Sequence, residues 1–122
     1  MTETNELKRT ILLDIDGCLL KHHGDLHAQI MTKPEVLPGV IEKLNEWEIK
    51  GYKIILTTGR REALRKITED QLMSVGIFYD QLVMGLGRGE RVVINDFKPD
   101  SKLATASAIC IERNTGLKSL TI

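Results

Sequence analysis

The run Ile11-Leu12-Leu13-Asp14-Ile15-Asp16-Gly17 constrains this chain more than any other stretch. Three aliphatic residues lead straight into two carboxylates one residue apart, and a glycine ends the pattern. An unbroken apolar run without helical period reads as a strand covered on both faces, as in a parallel sheet flanked by helices. In such sheets the ligand crevice lies beyond the carboxyl ends of the strands, which is where Asp14 and Asp16 arrive. Two carboxylates that close repel one another, and a divalent cation bound through oxygen relieves them, magnesium first among the candidates. The same Asp-x-Asp-Gly also serves as an ordinary turn, so this stretch alone leaves both readings open.

Two later stretches repeat the design. Ile54-Ile55-Leu56-Thr57-Thr58-Gly59-Arg60 is an apolar strand ending in hydroxyls, and Val92-Val93-Ile94-Asn95-Asp96 is one ending in an amide and a carboxylate. If these strands lie side by side, Asp14, Asp16, Thr58 and Asp96 surround one point, where a bridging cation would let carboxylates accept a phosphate. In order, the three strand ends resemble the first, second and fourth motifs of the haloacid dehalogenase-like (HAD) hydrolase superfamily, over nearly the whole chain.

The resemblance implies Asp14 as a nucleophile that forms an aspartyl-phosphate, and Asp16 as the acid that protonates the leaving alkoxide and then activates water. It implies Thr58 and Gly59 as phosphate-binding groups, and Asp14, Asp16, Asp96 and Asn95 as holders of Mg2+, with the inner-sphere choice between Asn95 and Asp96 left open. The chain departs from the family in its third motif, commonly a lysine shortly before the fourth. No lysine lies between Lys66 and Lys98, so Arg88 is taken as the substitute, with Arg91 next. Cys18 stands where the family often has threonine. The stretches between motifs leave no room for an inserted cap domain, and capless members resemble phosphatases of sugar phosphates or of large phosphorylated molecules. The expected function is therefore a magnesium-dependent phosphatase of a sugar phosphate or similar small metabolite, its open site completed by a homo-oligomer. The alternatives are a nucleic-acid end phosphatase and a non-catalytic magnesium- or phosphate-binding module.

Composition narrows the partners. Lys plus Arg equals Asp plus Glu at 17 each in 122 residues, so no overall field draws in nucleic acid or an anionic membrane, and nucleic acid is the less expected substrate. Cys18 and Cys110 lack the spacing of a zinc site or disulfide framework and read as reduced thiols in a cytoplasmic protein. There is neither a signal-peptide core nor an apolar run of membrane-spanning length.

The expected architecture is a single α/β domain over residues 1–122: a three-layer, Rossmann-like parallel sheet of about five strands, helices on both faces and no cap. Met1–Glu6 is expected to be a frayed tail. Strands are expected from Lys8 or Arg9 to Ile15, Tyr52 to Thr58, Gln81 to Met84, Arg91 or Val92 to Asn95, and Ala106 to Glu112. Helices are expected after Leu37-Pro38-Gly39, with Val40, Ile41, Leu44 and Trp47 inward, and from Glu62 to Val75. Residues 17–33, with His22, His23 and His27, are expected to form an irregular flap, and the histidines are read as loop residues rather than metal ligands.

Overall fold

The computed structural model describes residues 7–122; the tail expected at Met1–Glu6 lies outside the described residues. The chain runs β1 (Thr10–Asp14), α1 (Leu26–Met31), α2 (Val40–Ile49), β2 (Lys53–Thr57), a 3-10 turn (Glu62–Leu64) leading into α3 (Arg65–Ser74), and β3 (Gln81–Val83). The strands form a parallel sheet in the order β1-β2-β3. Ile11 pairs with Ile54, Leu13 with Leu56 and Leu56 with Leu82. Parallel partners share a face, so these five side chains make one apolar surface, and all are buried. Val40, Leu44 and Trp47 of α2 and Leu72 of α3 join the same core, with Trp47 fully enclosed as its position in the helical stripe requires.

Two parts of the expected architecture take a different form. The sheet has three strands among the described residues, and its opposite face is open, with Leu12 57% and Val83 38% exposed, so helices cover one face rather than two. The stretches 91–95 and 106–112 carry no strand, and Val92, Val93 and Ile94 are exposed. The reason is local competition for hydrogen bonds. Arg91 folds back to donate to the carbonyls of Gly87 and Gly89, Asn95 Nδ2 donates to Thr105 O, and Thr105 Oγ1 donates to Asp96 O. Side chain to backbone bonds of this kind satisfy a segment within itself and compete with a sheet ladder. The turn expected at Lys98-Pro99-Asp100 does form, closed by Ser101 N–H donating to Lys98 O.

In the flap, a helix appears that the sequence reading missed. Asp25 caps α1 by accepting from the Ala28 N–H at 2.8 Å, and Leu26 and Ile30 follow at helical spacing. The end of the chain is fastened to the start of α2: Leu117 N–H donates to Pro38 O at 2.9 Å. Gly39 and Gly116, both at positive φ, let the two backbones meet, and a Cβ on Gly39 would sit 2.4 Å from Lys118 Cα. Gly76 has the same φ of +77° with nothing near its missing side chain. Left-handed backbone costs an L-residue about 1–2 kcal/mol. Gly76→Ala should lose about that much, and Gly39→Ala clearly more because backbone must also move; urea unfolding midpoints of the two variants check the difference.

Candidate active site

The register of β1 on β2 builds the site. Asp14 pairs with Thr57, so the next residues along both strands, Ile15 to Gly17 and Thr58 to Arg60, leave the sheet side by side. Thr57 turns its hydroxyl back to donate to Leu13 O, whereas Thr58 is buried and its Oγ1 accepts from the Arg60 N–H at 3.0 Å. Thr58 thus shapes the turn after β2 rather than capping a helix. Gly59 lies against the glycine loop, where a Cβ would meet Gly87 O at 2.6 Å, so no other residue fits without displacing that loop.

Arg60 is the residue that sequence reading passed over. It is only 3% exposed. Its Nε and Nη2 each donate to one oxygen of Asp16 at 2.8 Å, while Nη1 donates to Thr68 Oγ1 at 3.0 Å and to Gln71 Oε1 at 2.7 Å. A forked, two-oxygen pairing of this kind fixes both the position and the plane of a carboxylate. Its signal was present in the sequence: Thr68 and Gln71 sit on the inward stripe of α3, where two polar residues in place of aliphatic ones announce a buried polar partner.

Asp14 is placed differently, exposed at the end of β1. Partial desolvation by the surrounding protein raises its pKa above the ordinary 3.8; the Ile15 backbone N–H opposes this, Asp16 raises it further, and the charges of Arg91 and His22 lower it. Both loop arginines, Arg88 and Arg91, are exposed, and Arg91 is the one whose charge acts on Asp14. Burial and the neighbouring Asp14 push the Cys18 thiol up to about 11, which leaves it an inert thiol at neutral pH. The flap closes in from one side, with His22 N–H donating to Asn114 Oδ1 at 2.7 Å.

The structure thus brings Asp14, Asp16, Thr58 and Gly59 to one end of the sheet. Asp96 stands apart on the exposed stretch, paired with Lys98 at 3.2 Å, and Asn95 bonds to Thr105. Among the described residues no three His, Cys, Asp or Glu side chains gather closely enough to hold a metal. Asp14 nevertheless fits a cation as an oxygen donor: its carboxylate is exposed at the end of β1 with the Asp16 carboxylate two residues on, and a divalent ion would offset the charge of the pair.

A pH dependence follows. A carboxyl whose pKa is raised on folding disfavours the folded state as it ionises, so stability falls as pH climbs from the ordinary 3.8 through the raised value, and stays lower above it. In metal-free buffer Asp14→Asn should therefore melt at a higher temperature than the native sequence at neutral pH, and the gain should vanish at pH values well below 3.8. Thermal unfolding across that range checks it.

No family model and no curated protein matches the sequence. Among solved structures, the chain is similar to one from the Pnkp1/Rnl/Hen1 complex, at 29% identity and TM-score 0.57, over 74% of this chain and 32% of that one. A second, from a Pnkp1/Rnl/Hen1 RNA repair complex, is 27% identical with TM-score 0.56, over 84% and 30%. The chain spans about a third of the length of these proteins. A crystal structure of an MCSG target from Vibrio cholerae shares the fold at 19% identity and TM-score 0.51, covering 72% of this chain and 79% of that one. With the parallel order of its strands and the acidic pair at the end of β1, the chain has a HAD-like fold.

Proposed function

We propose that this chain is a magnesium-dependent phosphomonoester hydrolase working through an aspartyl-phosphate on Asp14. The observation that supports the reading most is the β1–β2 register, in which Asp14 pairs with Thr57 so that the residues following both strands leave the sheet side by side. An oxygen of Asp14 attacks phosphorus and the bond to the leaving oxygen breaks; Asp16, entering this step protonated, gives that oxygen its proton and is left as the carboxylate that Arg60 pairs with. Asp16 then takes a proton from water as the water attacks phosphorus, which frees inorganic phosphate and regenerates Asp14. Thr58 and the backbone N–H groups at Gly59 hold the phosphate oxygens, with Arg91 or Arg88 adding positive charge. Magnesium, when bound by Asp14 and Asp16, would offset the negative charge shared by phosphate and carboxylates.

Asp96 and Asn95 enter this reading through the free edge of β1. Among the described residues that strand has one neighbour in the sheet, and the exposed Val92-Val93-Ile94 run has the composition to pair beside it. Such pairing would carry Asp96 toward Asp14, and amide exchange at Val92–Asn95 should slow when Mg2+ and phosphate are added together.

Two substrate classes remain in view. A small sugar phosphate suits the balanced charge of the chain. A nucleic-acid end is favoured by one specific observation, the likeness at 29% and 27% identity to chains of a complex that repairs RNA. Phosphate release from sugar phosphates and from 3′- and 5′-phosphorylated oligonucleotides, compared side by side, decides between them.

Chelation by EDTA should abolish turnover while the circular dichroism spectrum persists, since the core cluster contains no candidate ligand. Asp14→Asn should end turnover. Asp16→Asn should lower it by about 100- to 10,000-fold for an alkyl phosphate, and by much less for p-nitrophenyl phosphate, whose leaving group needs no proton. Single-turnover kinetics with both substrates read these outcomes, and undiminished turnover in the Asp14 variant would end the covalent mechanism.

A further inference from the structure

Gln71 occupies an inward position of α3 that the packing pattern would give to an aliphatic side chain, and it is 7% exposed. Both ends of its amide are engaged in opposite directions. Oε1 accepts from Arg60 Nη1 at 2.7 Å; Nε2 donates to Gln29 O at 3.1 Å and to Ile30 O at 3.3 Å, in the last turn of α1. Gln29 is itself 6% exposed and holds the flap together, its Nε2 donating to Lys21 O at 2.8 Å and its Oε1 accepting from His23 N–H at 2.7 Å. A continuous line of buried and part-buried hydrogen bonds therefore runs from the flap, through α1 and Gln71, to the guanidinium that grips both oxygens of Asp16.

We propose that Gln71 is a positioning residue for Asp16: it seats Arg60 against the carboxylate and ties that seat to the docking of α1, so that the flap's placement and the acid's orientation are set together. This rests on the phosphatase reading above and deepens it. The physical case lies in the geometry of the guanidinium. Arg60 has one edge on Asp16 and its remaining nitrogen on Thr68 and Gln71. A planar fork held on two sides cannot rotate, and a carboxylate bound to it cannot rotate either. If Nη1 loses its acceptors, the fork gains freedom to turn in its own plane and to slide, and Asp16 turns with it. Small misplacements of a reacting group are costly in rate, because the transfer of a proton depends on alignment at hydrogen-bond distance. Thr68, wholly enclosed, shares the seat on Nη1 but has no bond to α1 in the structure. The two residues therefore separate the two halves of the proposal: Thr68 touches the guanidinium alone, whereas Gln71 touches the guanidinium and the flap.

The experiment uses the full chain with Mg2+ and compares Gln71→Met and Thr68→Val, both close in volume to the residues they replace. Two measurements are made: the ratio of kcat/KM for an alkyl phosphate to that for p-nitrophenyl phosphate, and amide exchange across α1. Gln71→Met should lower the ratio by about tenfold, because only the alkyl leaving group needs the proton, and should speed exchange at α1. Thr68→Val should lower the ratio in the same direction and leave α1 exchange unchanged. A purely structural role would lower both substrates equally, and an equal loss or an unchanged ratio in folded Gln71→Met overturns the proposal. Should Gln71→Met fail to fold, an unchanged ratio in Thr68→Val overturns it instead. If the native sequence hydrolyses neither phosphate, the phosphatase reading itself falls; activity with an unmoved ratio removes the positioning role alone.

Discussion

A guanidinium carries a full charge wherever it is placed, and taking one out of water is tolerable only when its donors are matched by acceptors. Arg60, standing on the turn beyond β2, meets that condition with groups from two other parts of the chain: Asp16 beyond β1, and Thr68 and Gln71 on α3. Removing any one of these would leave a buried charge short of partners, so the ends of two strands and the face of a helix are held in a fixed relation by electrostatic necessity. The hydrophobic core beneath supplies the bulk of the folding free energy but is less particular about direction. The polar cluster above it specifies how the strand ends face each other.

That division explains how legible the molecule was. β1, β2, β3, α2 and α3 were readable because each announces itself in local pattern: apolar runs for the strands, the stripe of Val40, Leu44 and Trp47 for α2, glycine stops at Gly51 and Gly76. The small helix α1 was not, since its six residues give less than two turns of pattern and its clearest sign is the capping by Asp25. The stretches 91–95 and 106–112 have the composition of strands, but composition says nothing about whether a partner edge outcompetes nearby side chains such as Arg91 and Thr105. Among the site residues, Asp14, Asp16, Thr58 and Gly59 were legible as strand-end chemistry. Arg60 was not, because arginines were searched for as exposed phosphate ligands, whereas this one faces inward.

The acidic pair shows how one sequence motif yields two environments. Asp16 has both oxygens on a guanidinium, while Asp14, two residues away, meets desolvation and its neighbour's negative charge, opposed by the Ile15 backbone N–H and by the charges of Arg91 and His22. Two identical side chains are thereby made unequal before any ligand arrives. Cys18, in the same corner, is kept as a thiol first by its burial and then by the charge of Asp14.

The fastening of the C-terminal stretch has a consequence for the exposed segment that precedes it. Leu86 N–H is bonded to Thr58 O at one end, and Asn114 N–H to Gly17 O at the other. Both anchors lie at the same end of the sheet, so everything between them is a loop whose two feet are planted beside Asp14. A loop held in this way cannot diffuse off; it explores a small volume around the strand ends, at an effective concentration of about millimolar. Under the phosphatase proposal, any group it carries, Asp96 included, would meet the mouth of the site as an intramolecular visitor. The entropy of bringing it there has already been spent in folding the termini of the loop.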